Sequence, residues 1–374
     1  MYQLLTTSPM GLESIVAREV QELGYETKVE NGRVLFVGDE TAIVKSNLWL
    51  RTADRVKIVV GRFHATTFDE LFEKTKSLPW EDVIGAQGMF PVQGKSVKSK
   101  LFSVSDCQAI VKKAIVERLK HAYQIKGWID ETGSKYQVEV SLLKDEALLT
   151  IDTSGSGLHK RGYRLAQGDA PMKETLAAAL VRLTNWSGET PFIDPFCGSG
   201  TLAIEAALIA QNIAPGFNRD FASEDWDIIP EGLYDQLRQE ADDAALYDKE
   251  INIIASDIDP KMVEIAKDNA TEVGLGDIIQ FKVQDVHNLE VPEGPVSIIG
   301  NPPYGERIGE RSEVEAMYKH LGEIMKQNDQ ASLYMLTSYK EFEPLVGKKA
   351  TKRRKLFNGY IECTYYQYWG KRNK

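Results

Sequence analysis

The chain has 374 residues, with 45 Lys and Arg against 55 Asp and Glu, a formal net charge of −10 and a pI near 5.2. That length, with 43% hydrophobic residues, is enough for roughly two or three cores without disulfide or metal staples. The charge excludes a histone-like or polybasic nucleic-acid binder, but it does not exclude a nucleic-acid enzyme whose charge is unevenly distributed. The first residues have no basic n-region, apolar h-region or small-residue cleavage site, and no apolar run approaches the roughly 18 residues of a spanning helix. The three cysteines, Cys107, Cys197 and Cys363, are far apart and lack metal-ligand spacing. A cytoplasmic protein without membrane or metal partners is expected.

Residues 1–65 read as strand (Tyr2–Thr6), helix (Ser8–Leu23), two strands around Asn31-Gly32, helix (Asp39–Leu50) and strand (Arg55–Phe63). Leu12, Ile15, Val16, Val20 and Leu23 recur every three or four residues, the period of a helix with one apolar face. Asn-Gly between alternating segments is a hairpin signal. This order is that of a ferredoxin-like unit.

Residues 66–155 form a second small α+β unit. A helix starts near Thr67, and a longer one starts at Ser105-Asp106 with Ile110, Val111, Ala114, Ile115 and Leu119 inward. A hairpin then turns at Lys144-Asp145-Glu146. The Gly- and Ser-rich stretch 153–171 is the predicted junction. Beyond it helix (Lys173–Asn185) and strand (Pro191–Asp194) lead into alternation: helix Thr201–Ala210, strand Ile251–Ser256, helix Lys261–Val273, strand Ile278–Val283, strand Val296–Gly300. Strands alternating with helices predict a doubly wound, Rossmann-like, mostly parallel sheet over 156–374.

Charge is segregated along the chain. Residues 83–128 carry Lys95, Lys98, Lys100, Lys112, Lys113, Arg118, Lys120 and Lys126 against two acidic residues. Residues 347–374, which include Arg353 and Arg354, carry nine basic residues against Glu362, whereas 166–346 holds 13 basic and 33 acidic. A single lysine cluster is ordinarily a solvated helix face. Two clusters at opposite ends of an acidic chain make a binding surface for nucleic acid an equal alternative.

In a doubly wound sheet, ligands bind at the carboxyl ends of the strands, and the unusual residues fall there. The first strand runs into Asp194-Pro195-Phe196-Cys197-Gly198-Ser199-Gly200-Thr201, where glycines permit close backbone approach and a helix N-terminus offers free N–H groups. Any tight strand-to-helix corner would need similar residues. The third glycine of a dinucleotide fingerprint is absent, which disfavours a nicotinamide cofactor. The next strands end in Asp257 and Asp285, carboxylates placed for ribose hydroxyls and an adenine amino group; Asp259, before Pro260, reads as a helix cap. The fourth ends in Asn301-Pro302-Pro303-Tyr304-Gly305. Pro-Pro-Tyr-Gly makes a rigid turn in any context. At a ligand-binding strand end, however, the Asn301 amide oxygen and Pro302 carbonyl can accept both hydrogens of an exocyclic amino group. Its lone pair is then freed for an electrophilic methyl, while Tyr304 stacks on the base.

In this order DPFCGSGT, SDIDP, QDV and NPPYG resemble the motifs of class I S-adenosylmethionine-dependent amino methyltransferases. SPMGLESIVAREVQELGY, the basic 83–128 region, GLHKRGYR and APMKETLAAAL narrow the resemblance to bacterial large-subunit rRNA guanine-N2 methyltransferases. It spans about Ser8 to Trp369. The resemblance implies a ferredoxin-like domain (1–65), a THUMP RNA-binding domain (66–155) and a class I catalytic domain (156–374). It implies S-adenosylmethionine as cofactor, with Asp194, Cys197, Gly198, Gly200 and Thr201 around its methionine part, Asp257 at its ribose and Asp285 at its adenine. Met172 and Lys173 would close the pocket, Asn301, Pro302 and Tyr304 would grip the base, and 23S rRNA, naked or pre-ribosomal, would be the partner. A tRNA guanosine-N2 methyltransferase or an RNA-binding assembly factor with a vestigial catalytic fold are the alternatives. Gln211–Glu250 departs from the generic fold as an insertion carrying Phe217, Arg219, Phe221 and Trp226, expected either to wall the substrate cleft or to serve packing alone.

Overall fold

The computed structural model describes residues 1–165, 172–304 and 311–371; Ala166–Pro171 of the predicted junction and Gly305 of the NPPYG motif lie outside them. In chain order the elements are β1 (Tyr2–Thr7), α1 (Glu13–Glu22), β2 (Lys28–Glu30), β3 (Arg33–Gly38), α2 (Glu40–Trp49), β4 (Arg55–His64), α3 (Phe68–Lys76), β5 (Val92–Val97), α4 (Val104–Ala122), β6 (Gln137–Leu143) and β7 (Glu146–Asp152). They continue with α5 (Glu174–Arg182), β8 (Phe192–Asp194), α6 (Thr201–Ala210), α7 (Leu233–Asp243), β9 (Ile253–Asp257), α8 (Pro260–Glu272), β10 (Ile279–Val283), β11 (Val296–Gly300), α9 (Arg311–Gln327), β12 (Ala331–Thr337), α10 (Phe342–Val346), β13 (Lys352–Asn358) and β14 (Ile361–Tyr368).

Two compact units result. The first comprises Met1–Ser8, Val16–Leu158 and Asn218–Glu240. Its seven strands form one sheet in the order β2-β3-β1-β4-β7-β6-β5, so the ferredoxin-like and second α+β segments share a continuous ladder through antiparallel β4 and β7. Local chemistry explains the elements. Thr67 and Glu70 form a reciprocal capping box at the start of α3. Lys144 and Asp145 both adopt positive φ, as a two-residue hairpin turn requires. On α4 the buried positions are Cys107, Val111, Ala114, Ile115 and Leu119, with Ile110 half-buried. Helix α1 begins at Glu13 rather than Ser8, because Gly11 in the Pro9-Met10-Gly11 turn takes φ +90°. The parallel edge strand β5 (VQGKSV) escapes sequence reading, since Gly, Lys and Ser interrupt its apolar alternation.

The insertion does not contribute to the cavity described below. Phe221 and Trp226 are buried in the first unit's core, where Trp226 stacks on Tyr136 at 4.6 Å between ring centroids and donates its indole N–H to Lys135 O at 3.1 Å. Arg219 donates to Gly157 O (2.7 Å) and Ser156 O (2.8 Å). Phe221, Trp226 and Arg219 thus serve packing.

The second unit comprises Pro9–Ile15, His159–Phe217 and Ala241–Lys374. Its sheet order is β10-β9-β8-β11-β12-β14-β13, parallel from β10 to β12, with β14 antiparallel to both its neighbours. This is the expected doubly wound sheet, whose order switches between β8 and β11. Sequence reading missed its far edge: the basic window 347–374 is largely a β-hairpin. The described part of the junction is anchored by a buried Arg161–Glu205 pair at 3.3 Å, with Tyr163 Oη donating to the same carboxylate at 3.0 Å.

Trp226→Ala is expected to destabilise the protein by about 3–5 kcal/mol in urea titration, with ligand binding in the β8–β11 cavity unchanged. Loss of binding at full stability would return the insertion to the cleft wall.

Candidate active site

The switch point opens into a cavity of about 520 Å³ lined by Met172, Asp194, Cys197, Gly198, Thr201, Asp257, Asp285, Asn301, Pro302 and Tyr304, together with residues from other loops. Ten of the twelve expected catalytic and cofactor residues therefore meet in one place. Gly200 lies behind the wall, and exposed Lys173 lines a separate cavity with Arg164 and Glu174.

The floor is the turn from β8 into α6. Gly198 has φ +50°, and a built Cβ on it would meet nothing within 4 Å. Gly200 has φ +83°, and a Cβ there would lie 2.9 Å from Ala266 Cβ on α8. Gly198 thus leaves its backbone open, whereas Gly200 lets two helices approach. Thr201 starts α6, and its Oγ1 accepts from Arg164 Nη2 (3.1 Å), which also donates to Met172 O (2.9 Å) while Arg164 Nε donates to Glu174 (2.8 Å). Asn269 of α8 donates to Ser199 O at 3.0 Å and accepts from Leu165 N at 2.9 Å.

Asp257 ends β9 and accepts from Gly198 N (2.9 Å) on one oxygen and Asp259 N (3.0 Å) on the other. A carboxylate has about four acceptor positions, so each oxygen retains capacity for a hydroxyl. Asp259 caps α8 through Lys261 N (2.9 Å), as expected. Asp285 accepts from the His287 backbone N–H at 2.9 Å and lies 2.8 Å from its Nδ1; these bonds hold the carboxyl below its ordinary range. Asp194 differs. It is 1% exposed, and burial, with the charge of Asp257 nearby, pushes its carboxyl up to about 8 despite a hydrogen bond from Phe196 N. Burial and the Asp194 and Asp257 carboxylates also raise the Cys197 thiol above its ordinary value, which removes the thiolate that nucleophilic catalysis needs.

Asn301 follows β11. Its Oδ1 accepts from Tyr304 Oη at 2.6 Å, and the turn is pinned by Tyr318 Oη donating to Pro303 O at 3.0 Å. Asn358 and Ile361, from the ends of β13 and β14, complete this side of the cavity. Sequence reading missed both. Asn358-Gly359 signals a hairpin, but nothing local says that it reaches Tyr304. Met317 and Met262, which also line the cavity, were likewise unremarkable in sequence.

The basic residues fall into two sets. Lys95, Lys98, Lys100, Lys112, Lys113 and Lys120 lie in the first unit. Lys95 pairs with Glu139 (2.9 Å), whereas half-buried Lys112 pairs with Glu131 (2.6 Å) and sits 3.4 Å over the Phe90 ring. Lys98 and Lys100 are exposed on the β5–α4 loop; Lys113 and Lys120 approach Phe72 and Trp128 at 5.7 and 5.9 Å. In the second unit Arg353 pairs with Glu343 (3.1 Å) and Arg354 donates to Gly11 O (3.3 Å). Lys112 and Arg354 thus serve the fold in this arrangement, while Lys98, Lys100 and Lys113 are presented to solvent.

Comparison with known proteins gives three matches along the chain. The RMKL-like methyltransferase domain model (UPF0020) matches residues 161–367, the RlmL ferredoxin-like domain 3–57 and the THUMP domain 65–152. The chain is 61% identical over 371 residues to "Putative RNA methyltransferase YpsC" of Bacillus subtilis, covering 99% of this chain and 96% of that protein. Among solved structures, SMU.472, "a putative methyltransferase complexed with SAH", is 46% identical with TM-score 0.96 and coverage of 100% of this chain and 99% of that one. A Listeria monocytogenes protein described as "a predicted N6-adenine-specific DNA methylase" is 58% identical with TM-score 0.95, covering 99% and 96%.

Because the folded carboxyl of Asp194 titrates above its unfolded value, the native state retains a proton between about pH 4 and 8 that the unfolded chain has released. Stability is therefore higher below this window and falls as pH rises through it. Asp194→Asn is expected to remove that part of the slope in denaturant titrations at stepped pH; an unchanged slope would contradict the buried acid.

Proposed function

Because the chain belongs to the RMKL-like methyltransferase family, with RlmL ferredoxin-like and THUMP domains ahead of the catalytic one, we propose that it methylates the exocyclic N2 of a guanosine in 23S rRNA, acting in the cytoplasm. RNA is the substrate class and S-adenosylmethionine the cofactor, in keeping with the YpsC and SAH-bound relatives. The observation that carries the reading is the convergence of Asn301-Pro302-Pro303-Tyr304 on the same cavity as the glycine turn and its carboxylates.

The residues present fit the cofactor. The open Gly198 backbone admits a close ligand, Asp257 retains lone pairs for ribose hydroxyls, and Asp285 is held ionised at the end of β10 for an amino group. Asp194, pushed toward its neutral form by burial, would ionise beside an ammonium group. When bound, S-adenosylmethionine supplies an electrophilic methyl on a sulfonium.

The chain's own work is positioning. The Asn301 carbonyl and the Pro302 carbonyl accept the two amino hydrogens and turn the nitrogen lone pair away from ring conjugation. The aromatic ring of Tyr304 supports the base. The rigid turn, fixed by two prolines and by Tyr318, holds these acceptors before the substrate arrives, so little reorganisation remains for the reaction. A base must leave its stack to enter, which favours locally open or protein-free rRNA. Exposed lysines of the first unit would contact phosphates.

Tritiated-methyl transfer to 23S rRNA from cells lacking the gene, to tRNA and to assembled large subunits, followed by nucleoside mapping, is expected to yield N2-methylguanosine from 23S rRNA. N6-methyladenosine, or incorporation confined to tRNA, would overturn the assignment. Asn301→Ala is expected to retain affinity for S-adenosylhomocysteine and to lose at least about 100-fold in transfer. Lys98, Lys100 and Lys113 changed together to Gln should weaken RNA binding and flatten its salt dependence, by roughly 0.7–0.9 in logarithmic slope for each phosphate no longer neutralised. An unchanged slope would make these lysines a solvated face only.

A further inference from the structure

Asn358, in none of the motifs, sits at the end of β13 with its Nδ2 3.2 Å from Tyr304 Oη, which in turn lies 2.6 Å from Asn301 Oδ1. With the Asn358 nitrogen toward Tyr304, the direction of this chain is set. An amide nitrogen only donates, so the Tyr304 oxygen accepts from Asn358 and directs its own proton to Asn301. Burial, with the Cys363 thiol alongside, raises the Tyr304 phenol well above its ordinary value, so that proton stays in place. The hairpin that presents Asn358 is registered by the Asn358–Ile361 pair at its tip.

The oxygen and nitrogen of an asparagine amide are nearly equal in size, and only hydrogen-bond partners decide which faces a ligand. We propose that Asn358 is a positioning residue: through Tyr304 it sets the polarity of the chain and locks the Asn301 amide with its carbonyl toward the base. One Oδ1 lone pair takes the tyrosine proton and the second receives the amino hydrogen. In the flipped amide, N–H would face N–H and the acceptor would be lost. The inference rests on the reading of Asn301 as the acceptor for the target amino group.

The test is a double-mutant cycle of Asn358→Asp and Tyr304→Phe, read as kcat and KM for methyl transfer to 23S rRNA, with S-adenosylhomocysteine affinity and Tm measured on every variant. The introduced carboxylate accepts the tyrosine proton and draws it from Asn301. Asn358→Asp is therefore expected to lower kcat by about 10- to 100-fold, with KM and cofactor affinity within about twofold. Its deficit relative to the parent should shrink as pH falls and the carboxyl again donates. In the Tyr304→Phe background the same change is expected to cost nothing further, because the chain is already broken. Independent, multiplicative losses, or a KM effect without a kcat effect, would overturn the proposal. If the carboxylate lowers Tm, Asn358→Leu removes the donor without adding charge and carries the same expectation for the cycle. Full turnover in Asn301→Ala would sink the acceptor reading itself. An inactive Asn301→Ala with fully active Asn358 variants would sink only this inference.

Discussion

The Asp257 carboxylate is the bond on which the site depends. One oxygen holds the Gly198 N–H of the turn after β8 and the other the Asp259 N–H of the turn after β9, so a single side chain registers two loops from neighbouring strands. Helix α8 reinforces that registration. Ala266 leaves room for Gly200 and no more, and Asn269 grips both Ser199 and Leu165. The conformation of the glycine turn is thus imposed from the β9–α8 side as much as by its own glycines.

Electrostatics is arranged by solvation rather than by sign. Of the carboxylates that border the cavity, Asp194 is stripped of water and driven toward its neutral form, whereas Asp285, half-buried and hydrogen-bonded, is stabilised as an anion. Environment assigns different protonation states to residues identical in sequence. The same holds for the cations. Lys112 is half-buried against Glu131 and the Phe90 ring, whereas Lys113 beside it in sequence is exposed.

Elements with strong periodicity or turn chemistry were legible. The Asn31-Gly32 hairpin, the apolar face of α4, the boundaries of α6 and the strand ends bearing Asp257 and Asn301 all follow from local pattern. What escaped depends on neighbours distant in sequence. Strand β5 is recognisable only once β6 lies beside it, and the basic C-terminal window conceals a hairpin because its edge strand, β13, opens with four basic residues. Asn358 joins the site only because that hairpin reaches Tyr304, 54 residues earlier. The separation of two small N-terminal domains, sensible by length and pattern, is crossed by the β4–β7 ladder.

The assignment of Asn218–Glu240 to the first unit and of Pro9–Ile15 to the second means that the polypeptide passes between the two units five times. This sets a schedule for synthesis. When residue 158 leaves the ribosome, the first core still lacks Phe221, Trp226, Ile229, Tyr234 and Leu237, and it cannot close until some eighty further residues, including β8 and α6, have been made. The N-terminal half must therefore wait, incompletely packed, for the catalytic half to begin. Recombination that exchanges one half at residue 156 would leave a gap in one core and a stranded apolar segment in the other, a barrier to shuffling written into the order of the chain.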